Sequence, residues 1–190
     1  MSILFLNKKF NPIDLSFVID TDLLHLDVRE VEEKHFFCKG DKGRLTIYVP
    51  CGTRFDVGEF QPWFRNVVRE ALRREAKLIF PERLKAWSER TGLNYKRLAI
   101  KSTSSKWGSY SSLGNINLSL YLLLLSSRYV DYTICHELCH SKEMNHGPRF
   151  WSLLDSLIGD NARQRGREMN KIVRTWYDKA DPRYLLVTNK

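Results

Sequence analysis

The pentapeptide His136-Glu137-Leu138-Cys139-His140 constrains this 190-residue chain more than any other feature. On a helix, residues four apart stack on one face, so His136 and His140 can hold one metal ion between their imidazoles. Glu137 then lies about 100° round the helix from His136. From there its carboxylate can reach a water at the ion without being a ligand. The surroundings read as helical: the segment continues as ICHELCHSKEM, and Tyr129, Val130, Tyr132 and Ile134 supply apolar packing on the preceding turns. Of the chain's 5 histidines, three fall between positions 136 and 146, which raises the pentapeptide above a chance match.

A catalytic zinc takes three protein ligands and keeps one position open. Two residues compete for the third place. Glu143 shares the expected helical face but stands about 7 Å along the axis from an ion centred between the histidines, which a Glu side chain spans only with strain. His146 lies beyond the interruption Asn145-His146-Gly147-Pro148, where the chain can turn back. His146 is therefore favoured. Cys135 and Cys139 are also four apart, but they sit about 100° from the histidine face and read as small buried residues.

The rest of the chain divides by texture. Residues 1–58 carry β-branched and aromatic runs at 15–19, 24–28, 36–38 and 45–49, separated by turn chemistry, and predict a small antiparallel meander. Residues 60–91 repeat apolar side chains at helical spacing through Phe64, Val67, Val68, Ala71, Leu72, Leu78 and Ile79. Pro81 is expected to break or kink that helix, and Gly92 to stop it. Strands are expected at 97–102 and 116–121, and helices at 128–144, 149–158 and 161–177, followed by a short tail.

Composition bounds the function classes. The chain holds 31 Lys and Arg against 22 Asp and Glu, a net charge of +9, which favours anionic partners. Arg163, Arg167, Lys171 and Arg174 form one stripe of the last expected helix, and Arg65, Arg69, Arg73 and Lys77 a second row. Such stripes can track a phosphate backbone, so nucleic acid is a candidate partner, although Glu70, Glu75 and Glu168 dilute both rows. No membrane association is expected, because the densest apolar run, 118–125, is far shorter than the roughly 20 residues of a spanning helix. The first residues do not read as a signal peptide, and the 4 cysteines lack disulfide-framework spacing, so a cytoplasmic protein with reduced thiols is expected.

HELCH, with NHGPRFW from Asn145 and the lead-in KSTSSKWGSYSSLGNINLSL, resembles the YgjP-like metallopeptidases, relatives of the SprT-like zinc proteases. The chain departs from that pattern at Tyr110, where the family usually has Cys. The resemblance implies an α+β, zincin-like fold. A β-rich N-terminal part (1–58) would precede a helical, zincin-like catalytic part (59–190), the two forming one compact domain. The catalytic part would hold a long helix, a small antiparallel sheet packed on the active-site helix, and two C-terminal helices. It further implies one Zn2+ per chain on His136, His140 and His146, with Glu137 as the general base in peptide hydrolysis. An edge strand that pairs with an extended protein or peptide substrate would run through Asn115, Ile116, Asn117 and Leu118. Candidates for stabilising the oxyanion are Tyr110, Asn115, Asn117 and Tyr132. Two readings compete with a zinc peptidase: a metal-dependent hydrolase of nucleotides or other phosphoanhydrides, and a non-catalytic, metal-stabilised nucleic-acid-binding module.

Overall fold

The computed structural model describes residues 9–103 and 105–188. Residues 1–8 of the expected N-terminal part, Ser104 of the lead-in and residues 189–190 lie outside the described residues. The architecture is α+β. The N-terminal sheet contains β1 (Ile19–Asp20), β2 (His25–Val31), β3 (Phe37–Asp41) and β4 (Arg44–Pro50), in the order β1-β2-β4-β3. The expected meander is corrected here: β2 and β4 run parallel, with Leu26 beside Leu45 and Val28 beside Ile47. The alternation in each strand turns Leu26, Val28, Leu45, Ile47 and Val49 inward. That pattern selects a buried face but not a neighbour, so β4 pairs with β3 through a hairpin and still reaches β2 on its other side.

Helix α1 (Phe60–Thr91) lays Phe64, Val68, Ala71, Leu72, Ala76, Ile79, Phe80 and Leu84 into the core at three- and four-residue steps. It runs unbroken past Pro81, which lies on the exposed face. Leu78, expected on the buried stripe, is also exposed. Gly92 ends the helix with φ 68° and donates its N–H to the Ser88 carbonyl. Buried Glu75 accepts from the Gly43 N–H and ties the β3–β4 turn to the helix. Two of the four residues in the basic row on this helix are engaged within the fold: Arg69 donates to the Tyr121 hydroxyl and to Asn66, and Arg73 pairs with Glu70.

The second sheet holds β5 (Arg97–Lys101), β6 (Gly108–Tyr110) and β7 (Asn115–Ser119) in the order β5-β7-β6. It is mixed rather than antiparallel, because β5 and β7 run parallel. A 3-10 turn, Leu120–Leu124, buries all five of its side chains and leads into α2 (Ser127–Cys139). The bidentate pair from Arg83 to Asp131, at 3.0 and 2.7 Å, joins α1 to α2. Three helices follow rather than the expected two: α3 (Pro148–Ile158), α4 (Ala162–Asp178) and α5 (Pro182–Thr188). Leu186 and Val187 anchor α5, where a tail was expected. One hydrophobic cluster runs through both sheets and the helices. Among the described residues, no helix is long and apolar enough to cross a membrane.

Candidate metal centre

Helix α2 is buried on most sides, and near its C-terminal end His136 and His140 are partly open to solvent. The helix stops at Cys139, with His140 as its cap, five residues earlier than the sequence pattern predicts. Glu143 is therefore not on the helical face of the histidines, and its carboxylate is not part of the cluster. Its main-chain carbonyl serves instead, lying 3.0 Å from His140 Nδ1. A carbonyl only accepts, so Nδ1 carries the proton and Nε2 keeps its lone pair free for an ion.

The turn after α2 brings His146 back over the helix end. Pro148 starts α3 at a position suited to its fixed φ, and Trp151 on that helix donates its indole N–H to the His146 carbonyl at 2.9 Å. The Phe150 ring, fully buried, lies with its centroid 4.8, 4.7 and 4.5 Å from those of His136, His140 and His146. One nitrogen from each histidine lies within 4.8 Å of the others. His136 Nε2 and His146 Nε2 are 2.9 Å apart. Nitrogens bound at about 2.0–2.1 Å to one tetrahedral zinc stand roughly 3.3 Å apart, so the set suits such an ion with small side-chain adjustments. His136 Nδ1 is buried with no hydrogen-bond partner among the described residues, so the ring's polar engagement is all on the converging side. Burial, then the neighbouring His140 and His146, push the His136 pKa down to about 3. His140 is lowered as well, chiefly by burial. His136 is thus a neutral imidazole near pH 7, the form that binds metal.

Glu137 is 5% exposed and sits against β6. A Cβ added at Gly108 would stand 2.5 Å from its Oε1, so the missing side chain is what admits the carboxylate. Gly108→Ala is therefore expected to displace Glu137 and cut hydrolysis by about 10²-fold while metal content stays unchanged, a result read by kinetics beside elemental analysis. Burial lifts the Glu137 pKa to about 8, against the opposing pull of Lys106 and of the Tyr110 backbone N–H. Near pH 7 the metal-free carboxyl is thus mostly protonated, and a cation beside it favours the charged form. Zinc binding at pH 7 is expected to release more protons per ion in wild type than in Glu137→Gln, where only the metal-bound water can contribute, as read by calorimetry in buffers of different ionisation enthalpy.

Several expected site residues occupy other surroundings. Asn115, Ile116, Asn117 and Leu118 belong to β7, which is hydrogen-bonded to β5 on one side and β6 on the other. They have no free edge, so the expected pairing with substrate is corrected. The sheet's edges are β5 and β6, and the one beside Glu137 is β6, only three residues long. Ser119 donates to the Trp107 carbonyl and Ser111 to that of Asn115. That register points the main-chain groups of Gly108 and Tyr110 away from β7. Tyr110 thus acts on Glu137 through its N–H, which any residue supplies, while its hydroxyl turns toward Gly114. Asn117 donates to the Ser109 hydroxyl. Cys135 and Cys139 are fully buried, with thiols pushed up by burial, and lie outside the histidine cluster. Sequence reasoning missed Gly108 and the Glu143 carbonyl, while Phe150 and Trp151 pack the turn carrying His146 as their place after it suggests. A glycine inside a strand was the one available signal, since it marks a close approach.

A cleft of about 470 Å3 opens beside Glu137 and His136. Tyr132, Lys106, Arg163 and Arg167 line it, and Glu137 is its one acidic residue among those described. Lys171 and Arg174 stand exposed further along α4. A family model described as YgjP-like, metallopeptidase domain, matches residues 41–172, more than half of the chain. No curated protein and no solved structure matches the chain.

Proposed function

We propose, from the premise that this chain belongs to the YgjP-like metallopeptidase family, that it is a zinc-dependent peptidase acting on extended protein segments. The observation that carries the reading is the convergence of three imidazoles beside a buried carboxylate at a free sheet edge. His136, His140 and His146 would hold the ion. Zinc in that place supplies a water of near-neutral pKa and polarises a carbonyl. Glu137 takes the proton of the attacking water and passes it to the leaving amine. The Tyr110 N–H steadies the carboxylate for that exchange. The Gly108 main-chain groups and the Tyr110 carbonyl, which point away from β7, hold the substrate extended, with loose sequence preference.

Of the four candidates for the oxyanion, Tyr132 alone lines the cleft with Glu137. Gly166 makes room for its hydroxyl, since a Cβ there would stand 2.7 Å away. Burial raises the Tyr132 pKa, so the hydroxyl stays a donor at neutral pH. The exposed row on α4 supports a secondary affinity for nucleic acid, which predicts binding that falls steeply with salt.

The test is hydrolysis of an unfolded protein and of quenched-fluorescence peptides by chelator-stripped protein reloaded with zinc. Cleavage should return at one zinc per chain and vanish again on chelation. A fully loaded protein that leaves peptides intact but splits a nucleoside triphosphate would contradict the peptidase and favour the phosphoanhydride reading.

A further inference from the structure

The cleft beside Glu137 concentrates positive charge that the fold leaves unspent. Lys106 stands just before β6, and Arg163 and Arg167 face the same space from α4. All three are exposed, and among the described residues none has a carboxylate within ion-pair distance. Cations nearby behave differently: Arg165 pairs with Asp160 at 2.5 Å, and Arg128 approaches Glu168 at 3.8 Å. Those two have carboxylate partners, whereas Lys106, Arg163 and Arg167 converge on one space without one at ion-pair distance.

The Arg163 guanidinium lies 4.9 Å over the Trp151 ring, and Trp151 in turn bonds the His146 carbonyl. A guanidinium held over an aromatic face by cation–π attraction is ordered in part before any ligand arrives and still has N–H groups to offer a carboxylate. Met169 and Trp107 give the cleft apolar walls. Glu137 lies in the same cleft wall and interacts with Lys106, which leaves Arg163 and Arg167 as the cations without a nearby carboxylate.

We infer that this cleft is a specificity subsite for a carboxylate of the peptide substrate, close to the scissile bond, with Lys106, Arg163 and Arg167 as its determinants. The inference rests on the peptidase reading and names its preferred substrate class. Two sources share the chemistry: an Asp or Glu side chain, or the C-terminal carboxylate of the chain. A phosphate would meet the same charges. The peptide is favoured because the cleft wall includes Gly108, whose outward main-chain groups pair with an extended backbone and have no use for a nucleotide.

Binding is measured first, so that the outcome does not depend on turnover. Zinc-loaded Glu137→Gln protein is titrated with four probes, by calorimetry. They are an acetylated and amidated peptide with Gln near its centre, the same peptide with Glu there, the Gln peptide with a free C-terminal carboxylate, and a nucleoside triphosphate. One or both carboxylate peptides should bind about tenfold tighter than the amidated Gln peptide, the sum of three exposed charge contacts. The preference should collapse at 1 M salt. Arg167→Glu should shrink that preference severalfold, because it removes one of the three charges and places an opposite one beside the other two. Equal binding of all peptides, or a preference untouched by Arg167→Glu, overturns the inference. A triphosphate that binds tighter than either carboxylate peptide overturns it also. Wild-type hydrolysis of the same peptides then separates the two claims. Carboxylate-selective binding without cleavage supports the subsite and sinks the peptidase, whereas cleavage without selectivity does the reverse.

Discussion

Glu137→Gln is expected to keep its fold and its metal while losing about 10²–10⁴-fold in peptide hydrolysis, the usual worth of a positioned general base. The substitution is gentle on the structure for a specific reason. Burial keeps the metal-free carboxyl mostly protonated near pH 7, so the neutral amide replaces a group that is already largely neutral. The amide oxygen still accepts from the Tyr110 N–H, and the shape against Gly108 is preserved. The amide lacks a basic lone pair at neutral pH, and the proton transfer fails for that reason alone. The measurement is kcat/KM on a quenched peptide beside zinc content and melting temperature. A non-catalytic module would show the opposite: function intact, because binding needs no base.

Phe150→Ala carries the largest expected effect on stability. The ring is completely buried and is in contact with all three imidazoles. Emptying such a site costs about 3–5 kcal/mol, a large share of a typical domain's total. The void lies under the turn that carries His146, so the ligand set loosens too. Zinc affinity is expected to weaken by about 10–100-fold, the scale of losing a support behind metal ligands. Denaturant unfolding of metal-free protein reads the first effect, and competition with a chromophoric chelator reads the second. A Phe150→Leu protein should recover most of the stability. A Phe150→Ala protein as stable and as zinc-avid as wild type would contradict the packing argument.

The chemistry of the site was legible in the sequence because local spacing encodes it. His136 and His140 meet through the period of one helix, and Asn145 and Gly147 supply the turn that returns His146. What escaped depended on neighbours distant in sequence. Residues 115–118 alternate like a strand, yet nothing local says whether that strand is central or at an edge. The edge strand beside Glu137, Gly108-Ser109-Tyr110, is too short and too mixed to signal a strand at all. The parallel pairing of β2 with β4 is likewise a long-range choice made by the shared core. Helix α2 ends without a glycine stop, since the tie from His140 to the Glu143 carbonyl organises the turn instead. Pro81 sits inside α1 because its exposed position puts no buried partner out of place, while the packing of the opposite face holds the helix on both sides.

The central claim is that three histidines, and not Glu143, hold one catalytic zinc. Elemental analysis of chelator-washed, zinc-reloaded wild type, His146→Ala and Glu143→Ala tests it most directly. The account predicts one zinc per chain in wild type and in Glu143→Ala, where the carbonyl that accepts from His140 Nδ1 is main chain and survives, with loss in His146→Ala. No stoichiometric zinc in wild type, or zinc retained by His146→Ala and lost by Glu143→Ala, would contradict it.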